Sequence, residues 1–177
     1  MNLGDWKFAG DLDVAEGELR DKSAVTDQLR WLLACLRAQY WTYQHAHWET
    51  RGPTYYGNHL LFQRLYESVV QQTDTLAEKI VGTYGPCAVD SMNIASKFLM
   101  WINRWQDADG WHRRALLSEQ DFQKACETTY ELMKSMGELT LGMDDFLMAT
   151  ANEHETNQYL LRQVLRAGPE WQQMMEG

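Results

Sequence analysis

Residues 45–80 read HAHWETRGPTYYGNHLLFQRLYESVVQQTDTLAEKI, and this stretch decides the fold. Its Gly52-Pro53 step separates two helical runs, because proline cannot continue a helix and glycine turns freely. Downstream, Phe62, Leu65, Val69, Thr73, Leu76 and Ile80 recur every three or four residues, the spacing of one buried helical face. A second helix is therefore predicted over 56–81, stopping before Gly82. Upstream, Val25, Leu29, Leu32, Leu36, Tyr40, Tyr43 and His47 keep the same period and predict a first helix over 24–49. So short a loop makes the two helices antiparallel neighbours.

Beyond this hairpin, Gly85-Pro86 marks a linker, followed by a short helical run over 91–103 and a polar turn at 106–110. Ser118 reads as an N-cap with Asp121 three residues on, so the third helix is expected from there to about Gly137. The fourth is expected over 143–167, with Leu147, Thr150, His154, Leu161 and Leu165 on one face and Gly168-Pro169 as its stop. The fold class is all-α: a four-helix bundle with a short extra helix in the crossover between helices two and three. Residues 1–22 are expected as a polar leader, 23–168 as the bundle domain and 169–177 as a short tail.

The composition narrows the function. Of 177 residues, 45% are hydrophobic, enough for one packed domain rather than a disordered chain. No apolar run reaches the roughly 18 residues of a membrane span, and the first residues lack a signal peptide's apolar core. Cys35, Cys87 and Cys126 form no CxxC pair, which argues against a disulfide framework and a thiolate zinc site. A cytoplasmic protein without a membrane partner is expected. The formal net charge is −9, residues 1–22 carry six acids against Lys7, Arg20 and Lys22, and the charged residues after Ala167 are acids only. Such a chain repels phosphate backbones, so DNA binding is expected to be weak or absent.

The second helix carries unusual chemistry. At roughly 100° per residue, His59, Gln63, Glu67, Asp74 and Glu78 share one flank with Tyr66, Val70, Ala77 and Val81. A polar helix edge with incidental acids is the bland reading of that flank; an interface that carries a site is the sharper one. Asp74 and Glu78, four residues apart, can reach one cation together. His59 lies fifteen residues before Asp74, about 22 Å along a helix, so the two cannot bind one ion within a chain. His47 can approach His59 across the loop. One chain thus offers a His/His half-site and a distant Asp/Glu half-site, which a two-fold axis would join into two mixed sites. Imidazole with carboxylate suits iron, manganese or zinc.

This stretch resembles the signature of the Dps family of mini-ferritins: His47-Trp48, a Gly-Pro loop, His59 twelve residues on, then Asp74-x-x-Ala77-Glu78. The last helix, DDFLMATANEHETNQYLLR, is similar to the family's final helix through His154-Glu155. The resemblance runs from about residue 24 to 166. It implies a ferritin-like four-helix bundle, assembled from two-fold dimers into a hollow homo-dodecamer. It also implies inter-subunit di-iron ferroxidase sites that bind and oxidise Fe(II) with hydrogen peroxide, a stored ferric mineral, and protection against oxidative stress. His47, His59, Asp74 and Glu78 are the catalytic metal ligands so implied, with zinc or manganese as substitutes for iron. Classical ferritins build their site inside one bundle from Glu-x-x-His motifs, and no glutamate here has a histidine three residues later.

One position departs from the family. An acid usually stands one turn after the second histidine, and here that residue is Gln63, which brings no charge. A weaker second iron position is expected, with Glu67 or water as help. Trp48 is either a neighbour of the iron that intercepts radicals or plain packing. Asp144 and Asp145 either stabilise the start of the last helix or line a pore through which iron enters. His154 is expected as a satisfied core histidine and His45 as a surface one, while His112 is assigned to a loop. The alternative function is a Dps-like structural or DNA-associated cage with weakened ferroxidase activity.

Overall fold

The computed structural model describes residues 16–166, with side chains from residue 24 onward. It holds five α-helices: α1 (Glu16–Glu49), α2 (Tyr55–Tyr84), α3 (Ser91–Gln106), α4 (Trp111–Ser135) and α5 (Leu141–Arg166), with a 3-10 turn at Pro86–Val89. No strand occurs among the described residues. The long helices α1, α2, α4 and α5 make the ferritin-like bundle, and α3 lies in the crossover, as the sequence predicts.

Side-chain pairs fix the helix directions. Tyr40 of α1 meets Tyr66 of α2 edge-on, and His47 meets His59, so these two helices are antiparallel. Gln28 reaches Thr129 while Tyr43 reaches Ser118, which makes α4 antiparallel to α1. Ser68 binds Glu153, and Lys79 binds the Gly142 carbonyl, so α5 runs against α2. The apolar stripes meet in a core where Leu29, Leu32, Phe62, Leu65, Leu76, Phe122 and Leu161 are fully buried.

The crossover is anchored by polar contacts to α1 and α4. Arg30 of α1 donates to the Ala88 and Cys87 carbonyls at 2.7 and 3.1 Å. Trp101 of α3 donates its indole N–H to the Trp31 carbonyl, and the two rings lie 4.4 Å apart. Arg104 grips buried Asp121 of α4 through two bonds at 2.5 and 2.8 Å, and Trp105 adds a third at 2.9 Å. A carboxylate that accepts three donors needs no water, which is why Asp121 tolerates burial.

Several boundaries differ from the expectation. Helix α1 starts at Glu16, ahead of the predicted residue 24, because no proline interrupts the polar segment before it. Most of the proposed leader (residues 1–15) and the tail 169–177 lie outside the described residues. Helix α2 runs through Gly82 to Tyr84 and ends where Gly85 takes φ +83°. Its buried face holds Gln72, with Thr73 only partly covered. Helix α4 starts at Trp111, after Gly110 at φ +77°, so His112 belongs to a helix and Ser118 is no cap. The Ser118 hydroxyl instead donates to the Ala115 carbonyl inside the helix and sits 2.8 Å from the Tyr43 hydroxyl. The end of α4 did read correctly. Gly137 at φ +70° lets Glu138 N–H reach the Met133 carbonyl, a left-handed closure that favours glycine.

Candidate metal centre

The turn at Gly52 brings the end of α1 against the start of α2, and there His47 and His59 stack with ring centroids 3.6 Å apart. Nδ1 of His47 donates to the His59 carbonyl at 2.9 Å, and Nδ1 of His59 donates to the His47 carbonyl at 3.1 Å. A carbonyl only accepts, so both protons reside on Nδ1 and both Nε2 lone pairs remain available. Such backbone support of the far ring nitrogen is how metal-binding histidines are usually oriented. Both rings are half-buried. Tyr55 stacks on His59 at 5.0 Å and Tyr66 stands edge-on to His47 at 5.3 Å, so the imidazoles are held from both sides.

Asp74 and Glu78 lie on the same helix as His59, further along α2, and both are exposed. Among the described residues neither has a hydrogen-bond or ion-pair partner. Two adjacent unpaired carboxylates repel one another, a cost that a shared cation would remove. Asp74 and Glu67 line a groove of about 970 Å³ between α1, α2 and α3, together with Tyr40, Trp41, Val70 and Phe98. Among the described residues of a single chain, no three His, Cys, Asp or Glu side chains come close enough to hold a metal. The fold thus pairs the two histidines and leaves the two carboxylates about 22 Å away.

Gln63 sits one turn beyond His59, half-buried, and its amide nitrogen donates to exposed Glu67 at 2.8 Å. That contact occupies the NH2 end of the amide and leaves the carbonyl oxygen as the end able to meet a cation. Trp48 is 61% exposed, with its ring 5.0 Å from that of His45, which itself lies tilted against Trp41 at 4.3 Å. Asp144 and Asp145 are in the first turns of α5, next to the Gly142–Lys79 contact, at the far end of the bundle from His47 and His59.

Sequence reading placed His154 in the core but missed its partners. His154 is fully buried, its Nδ1 pairs with Glu119, and its Nε2 donates to the Gln72 amide oxygen at 2.9 Å. Glu119 also accepts the Tyr43 hydroxyl at 2.7 Å. All four long helices therefore contribute to one polar layer: Tyr43 from α1, Gln72 from α2, Glu119 from α4 and His154 from α5. Burial and the Glu119 charge push the Tyr43 phenol well above its ordinary range.

No protein-family model matches the chain. Among curated proteins, a DNA protection during starvation protein of Mycolicibacterium smegmatis is 26% identical over 151 residues, covering 84% of this chain and 82% of the relative. Among solved structures, Dps from Thermosynechococcus elongatus superposes with a TM-score of 0.73 at 20% identity, over 88% of this chain and 98% of that one. DpsC from Streptomyces coelicolor superposes with a TM-score of 0.70 at 23% identity, over 85% and 88%. The structural likenesses are matches of fold. They show that the chain has the ferritin-like four-helix-bundle fold, and the curated relative shows that its sequence is similar to a Dps protein over most of its length.

Proposed function

We propose that this chain oxidises and stores iron at sites completed across a two-fold axis, where His47 and His59 of one subunit face Asp74 and Glu78 of its partner. Fe(II) is the substrate, hydrogen peroxide the oxidant, and the ferric product is kept as mineral inside a closed homo-oligomer, a dodecamer of two-fold dimers. The observation that carries this reading is the split of good ligands along the bundle: the His47–His59 pair where α1 meets the start of α2, and, further along α2, Asp74 and Glu78, two exposed carboxylates without a partner among the described residues. An isologous dimer aligns opposite ends of the same helix face and unites the halves twice. The surface around them supports the pairing, because Trp41 of α1 and Val70 of α2 line the groove exposed and Val81 is exposed further along α2, an apolar surface suited to a partner. Nitrogen and carboxylate donors suit iron, with zinc or manganese as substitutes. Removing Fe(II) and peroxide together protects against oxidative stress. In this reading Asp144 and Asp145 line the pores through which iron enters, and DNA binding is weak or absent because each chain carries −9.

A second reading, a structural or DNA-associated cage with weakened ferroxidase activity, draws its support from Gln63, whose amide brings no charge and is tied to Glu67. Crystals soaked anaerobically in Fe(II) decide between them. The first reading expects anomalous iron density bridging His47 and His59 to Asp74 and Glu78 of the partner subunit. A cage with empty sites at saturating Fe(II) supports the second.

A further inference from the structure

The polar layer inside the bundle is not used by the proposed shared site, and no metal or small molecule has an opening to it: Tyr43, Glu119 and His154 are all fully buried. Electrons and protons can still reach it. Tyr43 is one turn before His47 on α1, about 6 Å along the helix axis. Its hydroxyl is fixed on three sides, by the Gln39 amide nitrogen at 3.1 Å, the Ser118 hydroxyl at 2.8 Å and the Glu119 carboxylate at 2.7 Å. The other carboxylate oxygen is paired with His154, over which Phe122 stacks at 3.9 Å. We infer that Tyr43 is a redox-active tyrosine that supplies one electron to peroxide at the shared site, with Glu119 receiving its phenolic proton. The inference rests on the shared-site reading above.

The need arises from electron count. Peroxide takes two electrons, and a site in which Gln63 weakens the second iron position presents one Fe(II), which gives one. In the step inferred here, Fe(II) is oxidised to Fe(III) and Tyr43 to its neutral phenoxyl radical. The Tyr43 O–H bond breaks and its proton moves to Glu119. The two electrons and two protons from solvent cleave the O–O bond and leave two waters. No hydroxyl radical is released. The same burial that blocks simple ionisation of the phenol ties loss of the electron to loss of the proton, since a charged phenol or phenolate would stand in a low-dielectric core.

The test is freeze-quench electron paramagnetic resonance on the full-length assembly, loaded anaerobically with Fe(II) and mixed with peroxide. Ferric absorbance is read from the same samples. Three proteins are compared: wild type, Tyr43→Phe, and protein with 3-fluorotyrosine at position 43 alone, which retains the phenolic hydroxyl. The inference expects a tyrosyl signal in wild type, its loss in Tyr43→Phe, and an added fluorine splitting in the labelled protein. Ferric formation without a tyrosyl signal, or a signal that the fluorine leaves unchanged, overturns it while the shared-site reading stands. If wild type forms no ferric product, the shared site fails and this inference fails with it.

Discussion

His47 and His59 hold each other in place: each ring donates Nδ1–H to the other's backbone carbonyl, which turns the Nε2 lone pair of each outward. This mutual support makes the two residues one unit. Replacing either by alanine removes a proposed ligand and also releases the surviving ring from one partner surface. Both variants are expected to lose at least about tenfold in divalent-metal affinity, the scale on which support of a ligand matters. Anaerobic Co(II) titration of His47→Ala and His59→Ala measures this. Unchanged affinity in either variant removes that histidine from the ligand set.

Gln63 keeps its amide nitrogen on Glu67, so the site lacks a charge that a carboxylate would supply. Gln63→Glu is expected to tighten the second iron position and speed Fe(II) oxidation, because added negative charge stabilises the ferric product more than the ferrous reactant. Stopped-flow rates check it. If Gln63→Glu is no faster than wild type while Glu67→Gln abolishes the fast phase, Glu67 already provides the charge and the account of Gln63 fails.

Asp90 caps α3 by accepting the Asn93 and Met92 backbone N–H groups, and these bonds lower its carboxyl below the ordinary value of 3.8. A depressed folded value means that the cap's contribution is fully present above 3.8 and is lost as pH falls through the lower folded value. Hydrogen-exchange protection of the Met92 and Asn93 amides is expected to hold at neutral pH and to collapse in that acidic range. Asp90→Asn should retain a cap without the pH dependence. The same acid-induced loss in Asp90→Asn would contradict the assignment.

The cysteines differ sharply in surroundings. Burial pushes the Cys126 thiol up to about 12 and raises Cys35 well above its ordinary value, whereas Cys87 is exposed. The thiolate is the reactive form, so one thiol per chain, Cys87, is expected to react with a disulfide reagent near neutral pH in the native protein. Cys87→Ala should abolish that native reaction. Rapid native labelling of Cys126 would show that the seam between α4 and α5 opens.

The helices were legible because their apolar stripes and the Gly-Pro breaks state both period and boundary, as at Leu29, Leu65 and Gly52. What failed was chemistry that looks alike in different places. Ser118 has the same neighbours whether it caps a helix or lies within one, and only its contacts with Ala115 and Tyr43 distinguish the cases. The true start at Gly110 carries no side-chain cap bond, so no polar residue announced it. Glu119 reads in one dimension as a solvated acid, and its place against His154 depends on how α4 meets α5, a relation thirty-five residues long. At the site, the short loop made the His47–His59 pairing legible. The proposed two-fold sharing shows in the sequence only as a distance along α2 too great for one ion to span, and a single chain holds no more than its halves.

The proposed sharing is tested by subunit mixing. His59→Ala chains lack one half-site and Asp74→Ala chains the other, so each alone is expected to oxidise Fe(II) poorly. When the two are unfolded together and refolded, every mixed dimer contains one site with both mutations and one with neither. Oxidation should therefore return toward half the wild-type rate per mixed dimer. If the mixture stays as inactive as its parents while refolded wild type regains activity, the ligands are not shared across the two-fold axis and the central claim is wrong.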